Sequence, residues 1–220
     1  MKPFARRLLQ VATILFLAAP TVTRADCPLN RYRFGAGPPV ESSAPTQSFS
    51  FGSPGSCNSG NASWDLSGGK LALALQPCTR DSAECRIRDT FVLHGPPPGT
   101  QLNVFIYLEW NTFSTEPCGL NSCQVKHTIV LSAGARTDSS TYFDPFGGVT
   151  SVVFFKATVG QPFDVTAKLA IESPEGGEGH ANGDLRFIVQ GGTLTSCNNY
   201  NEQPTPATQT SWGRLRAAYR

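Results

Sequence analysis

The stretch PFDVTAKLAIE, residues 162–172, alternates apolar and polar side chains at almost every position. Successive side chains of a β-strand point to opposite faces of its sheet, so this strand would have one apolar face and one polar face. The apolar face consists of Phe163, Val165, Ala167, Leu169 and Ile171. The pattern predicts an antiparallel sheet that covers a core with one face and meets water with the other.

Five other segments show the same two-residue period: KLALAL (70–75), QLNVFIYLEW (101–110), CQVKHTIVLS (123–132), SVVFFKATV (151–159) and DLRFIVQ (184–190). In the second of them, one predicted face carries the apolar side chains of Val104, Ile106, Leu108 and Trp110. The segments RIRDTFVL (86–93) and QSFSFG (47–52) bring the predicted number of strands to eight or nine.

Glycine- and proline-rich segments separate these strands. They are GPPPGT (95–100), VGQP (159–162), SPEGGEGHANGD (173–184) and QGGT (190–193). Because the chain has 21 Gly and 17 Pro residues, no long helical period survives. Short strands with one apolar face each predict an all-β fold, an antiparallel β-sandwich of jelly-roll type with disulfide-stapled loops. A single closed barrel is the alternative.

Residues 1–25 have the layout of a secretory signal peptide. Lys2, Arg6 and Arg7 precede an apolar core at 8–19, and small residues then lead to Ala25, where we expect cleavage. The core is too short to span a bilayer, and a buried N-terminal helix is the competing interpretation. We expect the protein to be secreted, periplasmic or attached to the cell surface, with no transmembrane segment in the mature chain.

The rest of the chain predicts one domain and a tail. Residues 26–197 would form a single β-sandwich, with a polar, proline-rich lead-in at 35–47. Residues 198–211 have the composition of a linker, and residues 212–220 form a short basic end. Removal of the signal peptide takes four of the 18 Lys and Arg residues and leaves 14 against 16 Asp and Glu residues, a net charge of −2. That charge makes nucleic acid a poor partner.

All seven cysteines follow the predicted signal peptide, so they should oxidise after export. Short-range pairs are expected at Cys78–Cys85 and at Cys118–Cys123, each of which would close a local loop. Of the other three, Cys27, Cys57 and Cys197, two would pair and one would be left over. The intervals within the short-range pairs do not match a structural zinc site, and there is no Cys-x-x-Cys redox motif.

A resemblance to a known group adds to this interpretation. The Asp89-x-Phe91 strand, the Gly-Pro-rich turn at 95–99, the Gly160-x-Pro162-Phe163 strand and the Gly183-x-Leu185-x-Phe187 strand resemble those of secreted bacterial β-sandwich domains of unknown function. The resemblance covers about half of the chain. Its motifs are turn and core residues, so it implies the fold and carries over no site.

Candidate functional residues are few. His94, His127 and His180 are far apart in sequence, and no nucleophile elbow or His-Glu-x-x-His motif is present. Glu109 lies on the same predicted strand face as Tyr107, where a jelly-roll glycosidase holds carboxylates, but no second carboxylate is evident. Trp64, beside a Gly/Ser-rich loop, and Tyr107 are the candidate sugar-stacking rings.

No cofactor is expected, with calcium as the one ion to consider. Its candidate ligands are the carboxylates of the glycine-rich 172–184 segment, Glu172, Glu175, Glu178 and Asp184.

The sequence therefore leads to a function class and not to a ligand. Our first interpretation is an exported, non-enzymatic bacterial β-sandwich with a structural or interaction role outside the cytoplasm. The alternative is a carbohydrate-binding module that acts through exposed aromatic rings. A third interpretation is a glycosidase that uses Glu109. The partner would be a polysaccharide or another surface protein.

Overall fold

The computed structural model describes residues 27–52, 58–115, 124–143, 146–198 and 200. The predicted signal peptide, the segment 201–220 and the predicted Cys118–Cys123 pair lie outside these residues. The described part contains thirteen strands: β1 (Asn30–Phe34), β2 (Val40–Ser42), β3 (Thr46–Phe51), β4 (Ser59–Asp65), β5 (Lys70–Gln76), β6 (Asp81–His94), β7 (Gln101–Thr115), β8 (Lys126–Ala133), β9 (Arg136–Phe143), β10 (Phe146–Thr158), β11 (Pro162–Ser173), β12 (Glu178–Val189) and β13 (Thr193–Ser196).

The strands form two antiparallel sheets packed face to face. Sheet A has the order β2-β1-β6-β11-β8-β9, with β13 also paired to β6, and sheet B has the order β10-β7-β12-β5-β4-β3. Strands β5 to β12 make four nested antiparallel pairs, β5 with β12, β6 with β11, β7 with β10 and β8 with β9. This nesting, folded over into two sheets, is a jelly roll. The predicted sandwich is confirmed, and the barrel alternative is not retained.

The core lies between the two sheets and follows the predicted alternation. On β7 the side chains of Val104, Ile106, Leu108 and Trp110 are buried, and on β11 those of Val165, Ala167, Leu169 and Ile171. Burial of these apolar surfaces is the main favourable term of folding. Among the described residues there is no helix of the length and apolar character needed to cross a membrane.

Four of the strands, β1, β2, β9 and β13, extend or border sheet A in segments where the sequence predicted none. The lead-in at 35–47 is part of the sandwich, because it contains β2 and the start of β3. Strand β9 is mostly polar, and its pairing with β8 holds it extended despite the lack of an apolar stripe. Strand β4 adds a fifth unpredicted strand, in sheet B between β5 and β3.

Glycines explain why the 173–184 segment is mostly strand and not the predicted loop. Strand β12 begins at Glu178, so the connection spans only 174–177. Gly179 faces the core, where a Cβ would come within 2.7 Å of the Ile171 side chain and 2.8 Å of that of Val125. Gly183 likewise faces Leu108, at 3.1 Å from a Cβ. These glycines allow close approach of the two sheets, and they do not form a turn.

A disulfide closes the sandwich at one edge of β6. Strands β1 and β13 both pair with this edge, β1 at residues 83–86 and β13 at residues 91–94. Cys27, just before β1, is bonded to Cys197, just after β13, across 170 residues of sequence. The bond therefore holds together two strands that do not pair with each other.

Polar groups fill the gap on β6 between β1 and β13. The amide N–H of Arg88 donates to Asn30 Oδ1 at 3.0 Å, and that of Cys197 donates to the carbonyl of Thr90 at 2.9 Å. Between them Asp89 points inward and is buried. It accepts hydrogen bonds from the backbone and side-chain amides of Asn198, at 3.2 Å each.

The predicted linker begins too early. Asn198 is buried against Asp89, and Tyr200 is buried among the core aromatics, 5.0 Å from the ring of Phe187 between ring centroids. The Tyr200 hydroxyl donates to the carbonyl of Leu185. The sandwich therefore continues at least to Tyr200 and does not end at Cys197.

The predicted Cys78–Cys85 pair is wrong. Cys85 is a free thiol, buried on the core face of β6 between Ala83 and Ile87. Cys78 is in a disulfide bond, and its partner is not among the described residues. The two-residue period of β6 carries Cys85 inward, away from the loop that holds Cys78. Burial and the neighbouring Glu84 charge raise the pKa of the Cys85 thiol to about 12.

Strand β10 is one edge of sheet B, and its free side is partly occupied. The backbone N–H of Val152 donates to the Asp138 carboxylate of β9 at 2.9 Å. This hydrogen bond connects the edge of sheet B to the edge of sheet A. The two edges of the sandwich on this side are therefore tied by a side chain.

Candidate functional site

The outer face of sheet B is formed by rows of side chains that cross its strands. Residues that lie directly opposite each other on neighbouring strands point to the same face, so the pairing register defines each row. One row comprises Asn111, Asn182, Ala72, Ser63 and Ser48. The next comprises Phe113, His180, Ala74, Asn61 and Ser50.

These rows form an open depression, here called the sheet B trough. It consists of two neighbouring depressions with no lining residue in common. The larger has a volume of about 710 Å³, with Thr46, Ser63, Asp65, Lys70, Asn182 and Asp184 around it and Ala72 beneath it. The smaller, of about 240 Å³, lies over Ala74 between Asn61 and His180. The floor is low at Ala72 and Ala74, because a methyl group is the whole side chain there. Longer polar side chains rise on both sides.

Asn182 lines the β12 side of the trough, and Asn111 lies just outside it on the next strand, with its side-chain oxygen 2.8 Å from where a Cβ of Gly148 on β10 would stand. Asn111 of β7 and Asn182 of β12 lie directly opposite each other, and both side chains are exposed. Asn61 of β4 is exposed on the other wall. Each amide offers both donors and an acceptor, so the walls present the two kinds of group that hydroxyl-rich ligands require.

Aromatic rings stand at the β7 side of the same face. The Phe113 ring is 42% exposed and lies beside His180, with ring centroids 5.8 Å apart. Farther along β7, Phe105 stacks on Tyr107 at 6.5 Å and on Phe154 of β10 at 4.6 Å. Tyr107 is half-buried on this outer face.

A charged row separates Tyr107 from the amides. Glu109 and Asp184 lie directly opposite each other on β7 and β12, and Lys70 and Asp65 continue the row. Glu109 is 3.4 Å from the Arg186 guanidinium. The side-chain hydroxyl of Ser67 donates to Asp65 at 2.6 Å. This hydrogen bond lowers the pKa of Asp65 although burial acts to raise it, and hydrogen bonds from two backbone amides and the Thr46 hydroxyl add to the lowering. That carboxylate is ionised at neutral pH.

The three site residues predicted from the sequence do not all lie on the same face of the sandwich. Tyr107 and Glu109 lie on the outer face of sheet B, as expected. Trp64 does not face a ligand: it is 2% exposed, packs in the core and donates its indole N–H to the carbonyl of Ala44 at 2.9 Å. Strand β4 turns Trp64 inward, because the alternation that exposes Ser63 and Asp65 buries the residue between them.

The histidines are not brought together. His94, near the end of β6, contacts the Thr195 hydroxyl at 2.7 Å, whereas His127 is fully buried on β8. His180 is on the outer face of sheet B, 2.8 Å from Glu178.

The candidate calcium ligands are also divided between the two faces of the sandwich. Glu172 points outward from sheet A and pairs with Lys126 at 2.7 Å. Glu178 and Asp184 point outward from sheet B. Across the described ranges, no group of three or more His, Cys, Asp or Glu side chains is placed to hold a metal ion.

Sequence reasoning missed the amides and the second carboxylate. Asn182 falls in the segment that was interpreted as a loop, and Asp184 stands where that segment meets the predicted strand 184–190, so neither residue was placed opposite β7. The alternation of that segment, with Ala181 and Leu185 inward, was the available signal. Asp184 supplies the carboxylate opposite Glu109 that the sequence did not reveal.

No family model matches the chain, and no curated protein matches it. Among solved structures, TmCBM61 in complex with β-1,4-galactotriose is 15% identical over 54% of this chain and 70% of its own, with a TM-score of 0.31. A structure reported for promiscuous carbohydrate-binding modules of the β-sandwich superfamily is 8% identical over 74% of this chain and 85% of its own, with a TM-score of 0.23.

A structure reported under CBM4 structure and function is 10% identical over 57% of this chain and 87% of its own, also with a TM-score of 0.23. All three are similar to this chain at the level of a β-sandwich fold. At these values the similarity carries no argument about a ligand.

Proposed function

We propose that this protein binds carbohydrate in the sheet B trough and does not hydrolyse it. The observation that carries the proposal is the row of Asn111 and Asn182 beside a floor of Ala72 and Ala74. Paired amides over a low floor suit a chain of hydroxyl groups, since each amide both donates to and accepts from a hydroxyl.

The neighbouring rings support the same ligand class. Phe113 lies two residues from Asn111 on the same strand face, and Tyr107 lies four residues away in the other direction. Aromatic faces cover the C–H face of a sugar ring while the amides meet its hydroxyls. A saccharide that lies in the trough over β4, β5 and β12 would extend past Asn111 to the Phe113 ring on β7.

The carboxylates of the site are better explained by binding than by hydrolysis. Glycoside hydrolysis needs an acid and a base or nucleophile on opposite sides of the scissile bond. Glu109 and Asp184 lie directly opposite each other on adjacent strands, where Cβ atoms are about 5 Å apart. That spacing is close to the one in a retaining glycosidase, so the preference for binding rests on the neighbouring cations. Glu109 lies 3.4 Å from Arg186, and Asp184 lies directly opposite Lys70. Both carboxylates are placed to accept hydrogen bonds from hydroxyl groups.

Export outside the cytoplasm is part of the proposal. The Cys27–Cys197 disulfide joins the two ends of the sandwich, and such bonds persist in oxidising compartments. The signal-peptide pattern of residues 1–25 supports the same location. N-terminal sequencing of the protein recovered from the periplasm or medium of an expressing cell tests export, and a product that starts at Met1 contradicts it.

The binding test is a screen of the oxidised protein against neutral and acidic polysaccharides, followed by calorimetry on each hit. Asn111→Ala combined with Asn182→Ala should weaken binding of the hit by about tenfold or more, because each lost hydrogen bond is worth about 1 kcal/mol. The matched control is Asn103→Ala. It removes an amide from the same face of β7, about 26 Å from Asn111 along the strand.

Two results would contradict the proposal. One is a complete absence of hits, and the other is equal affinity in the double variant and the wild type. Incubation of each hit with the protein, with reducing ends measured, tests the non-enzymatic part. Release of reducing ends that disappears in Glu109→Gln would assign the protein to the glycosidases.

A further inference from the structure

The outer face of sheet A carries three positive side chains in one row, here called the cationic row. Arg31 of β1 lies directly opposite Arg86 of β6, and Arg86 lies directly opposite Lys168 of β11. Directly opposite residues have Cβ atoms about 5 Å apart, and like charges in this position destabilise a sheet. The three positive side chains of the row therefore repel one another, and the fold keeps them together.

One buried carboxylate is shared by the cationic row and its neighbour. Glu84, whose side chain is only 10% exposed, lies 2.6 Å from Arg31, 3.5 Å from Lys168 and 4.0 Å from Arg33. Burial acts to raise the pKa of Glu84, but the hydrogen bond from Arg31 and the three positive charges outweigh it and lower the pKa. Glu84 is thus ionised, and its single charge is divided among three cations.

Arg86 is the cation without a direct partner. Within the part of the chain that the structure describes, it makes no ion pair, and its Nε atom is buried without an acceptor. The Nε atom of Arg31 is in the same situation. Desolvation and the charge of Arg31 lower the pKa of Arg86 against the opposing effect of Glu84. These buried Nε atoms are out of reach of a ligand, so an oxyanion would meet the terminal guanidinium nitrogens of Arg86, which are not among the buried atoms and have no partner among the described residues.

The charge of the cluster is unbalanced. Arg31, Arg33, Arg86 and Lys168 carry four positive charges, whereas Glu84 and Glu41, which lies opposite Arg31 on β2, carry two negative ones. The surrounding pairs do not change this excess of two positive charges. Arg88 pairs with Asp164 and Lys126 pairs with Glu172, both in direct contact.

A trough of about 760 Å³ lies beside the cationic row. Its walls include the cations Arg33, Lys126 and Lys168 and the carboxylates Glu84 and Glu172, to which these cations are paired, and the small side chains of Thr128 and Ala170 form its floor. Arg80 and Asp81 stand at its end and contribute one charge of each sign. The trough crosses β1, β6, β11 and β8, so it spans three inter-strand spacings, or about 14 Å. It is long enough for several sugar residues and too open for a single small ion.

We propose that the cationic row and this trough bind the oxyanion groups of an acidic polysaccharide. Guanidinium groups with free N–H donors recognise carboxylate and sulfate through charged, paired hydrogen bonds. A bound oxyanion would also reduce the repulsion between the cations of the row. Anion binding therefore accounts for an arrangement of like charges that lowers the stability of the sheet when no ligand is bound. The site is on the opposite face of the sandwich from the sheet B trough, so it does not depend on the function proposed above.

The test uses the oxidised full-length protein with dextran sulfate, polygalacturonate and neutral dextran as probes. Arg86→Gln combined with Lys168→Gln should weaken binding of the anionic probe by about tenfold or more, and binding to the wild type should weaken as salt is added. Neutral dextran carries no oxyanion, so any binding of it should be the same in the wild type and the double variant. Preference for polygalacturonate assigns a carboxylate ligand, and preference for dextran sulfate assigns a sulfate ligand.

Stability provides the second readout. Because Arg86 has no ion pair to lose, Arg86→Gln should melt at the same temperature as the wild type or higher when no ligand is present, while it binds the probe less tightly. The matched control is Arg136→Gln, the same change on the exposed β8–β9 hairpin, which should leave binding unchanged. The proposal is overturned if neither anionic probe binds, if the double variant binds as tightly as the wild type, or if Arg86→Gln lowers the melting temperature.

Discussion

Asp89 and Asn198 face each other inside the sandwich, 109 residues apart in sequence, with both amide groups of Asn198 donating to the Asp89 carboxylate. Asp89 occupies a core-facing position of β6 that would normally hold an apolar residue. The pair lies in the gap on β6 between β1 and β13, next to the Cys27–Cys197 disulfide. Through this contact a buried carboxylate orders the segment that follows β13.

The first prediction concerns pH. Burial raises the pKa of Asp89 above its ordinary value of 3.8, and hydrogen bonds from Ser196, Thr90 and Asn198 only partly oppose the shift. The folded state therefore holds the proton more tightly than the unfolded state, and the contribution of Asp89 to stability falls as pH rises from about 3.8 through the folded pKa. The stability of the wild type relative to Asp89→Asn should accordingly be highest in acid. Denaturant titrations from pH 3 to pH 7 measure this difference.

Asp164 provides a control of opposite sign. Burial acts to raise its pKa, but hydrogen bonds from the Thr90 hydroxyl and the Arg88 guanidinium outweigh burial and lower the pKa. The stability of the wild type relative to Asp164→Asn should therefore be lowest in acid and rise with pH. If both variants show the same slope, the assignment to Asp89 is incorrect.

The second prediction concerns the disulfide. Replacing Cys27 and Cys197 together by Ser should lower the free energy of unfolding by about 2–5 kcal/mol, since the bond closes a very long loop and ties β1 to β13. Chemical denaturation in the absence of reductant measures the loss and leaves the Cys78 disulfide intact. A loss below about 0.5 kcal/mol would mean that the pairing of β1 and β13 with β6 suffices without the bond.

The third prediction concerns the free thiol. Cys85 should resist alkylation in the folded protein because it is buried and its pKa is raised to about 12, which leaves almost no thiolate at pH 8. In concentrated guanidinium it should react readily. Peptide mapping after labelling should find Cys85 as the modified residue among Cys27, Cys78, Cys85 and Cys197. Labelling of Cys85 in the native state would show that the core opens locally.

The fourth prediction concerns sheet packing. Gly179→Ala should destabilise the fold by about 1–3 kcal/mol, because the new Cβ would lie 2.7 Å from Ile171 and 2.8 Å from Val125. Gly68→Ala is the matched control, since its Cβ would find the nearest atom at an ordinary 3.6 Å. Thermal melting of both variants measures the contrast. Equal melting temperatures would show that the two sheets can separate slightly at no cost.

The parts of the fold that the sequence predicted are those governed by local alternation. Strands such as β7 and β11 bury one face, so the identity of each inward residue follows from the two-residue period. The same period, applied to β6, places Cys85 inward in line with Ile87 and Phe91. The predicted Cys78–Cys85 bond failed because proximity in sequence was given more weight than the direction of the side chain.

The remaining features depend on contacts between distant segments. Strand β9 carries no apolar stripe, and only its pairing with β8 reveals it as a strand. The sheet B trough combines Asn111 with Asn182 through a strand pairing that no local pattern encodes. Likewise the cationic row arises because β1, β6 and β11 become neighbours. Local patterns determine which face of the sheet a side chain occupies, whereas the order of the strands determines which side chains lie next to it.

The hydrogen bond from Val152 to Asp138 has a consequence for behaviour at high concentration. Strand β10 contains the run 151–155, SVVFF, which is strongly β-forming, uncharged and placed at the edge of a sheet. An edge with free N–H groups recruits strands from other molecules and can seed fibrils. The Asp138 carboxylate occupies one of those N–H groups and adds a charge beside the run. The Asp138 side chain of β9 thus helps to prevent aggregation through the exposed edge of β10.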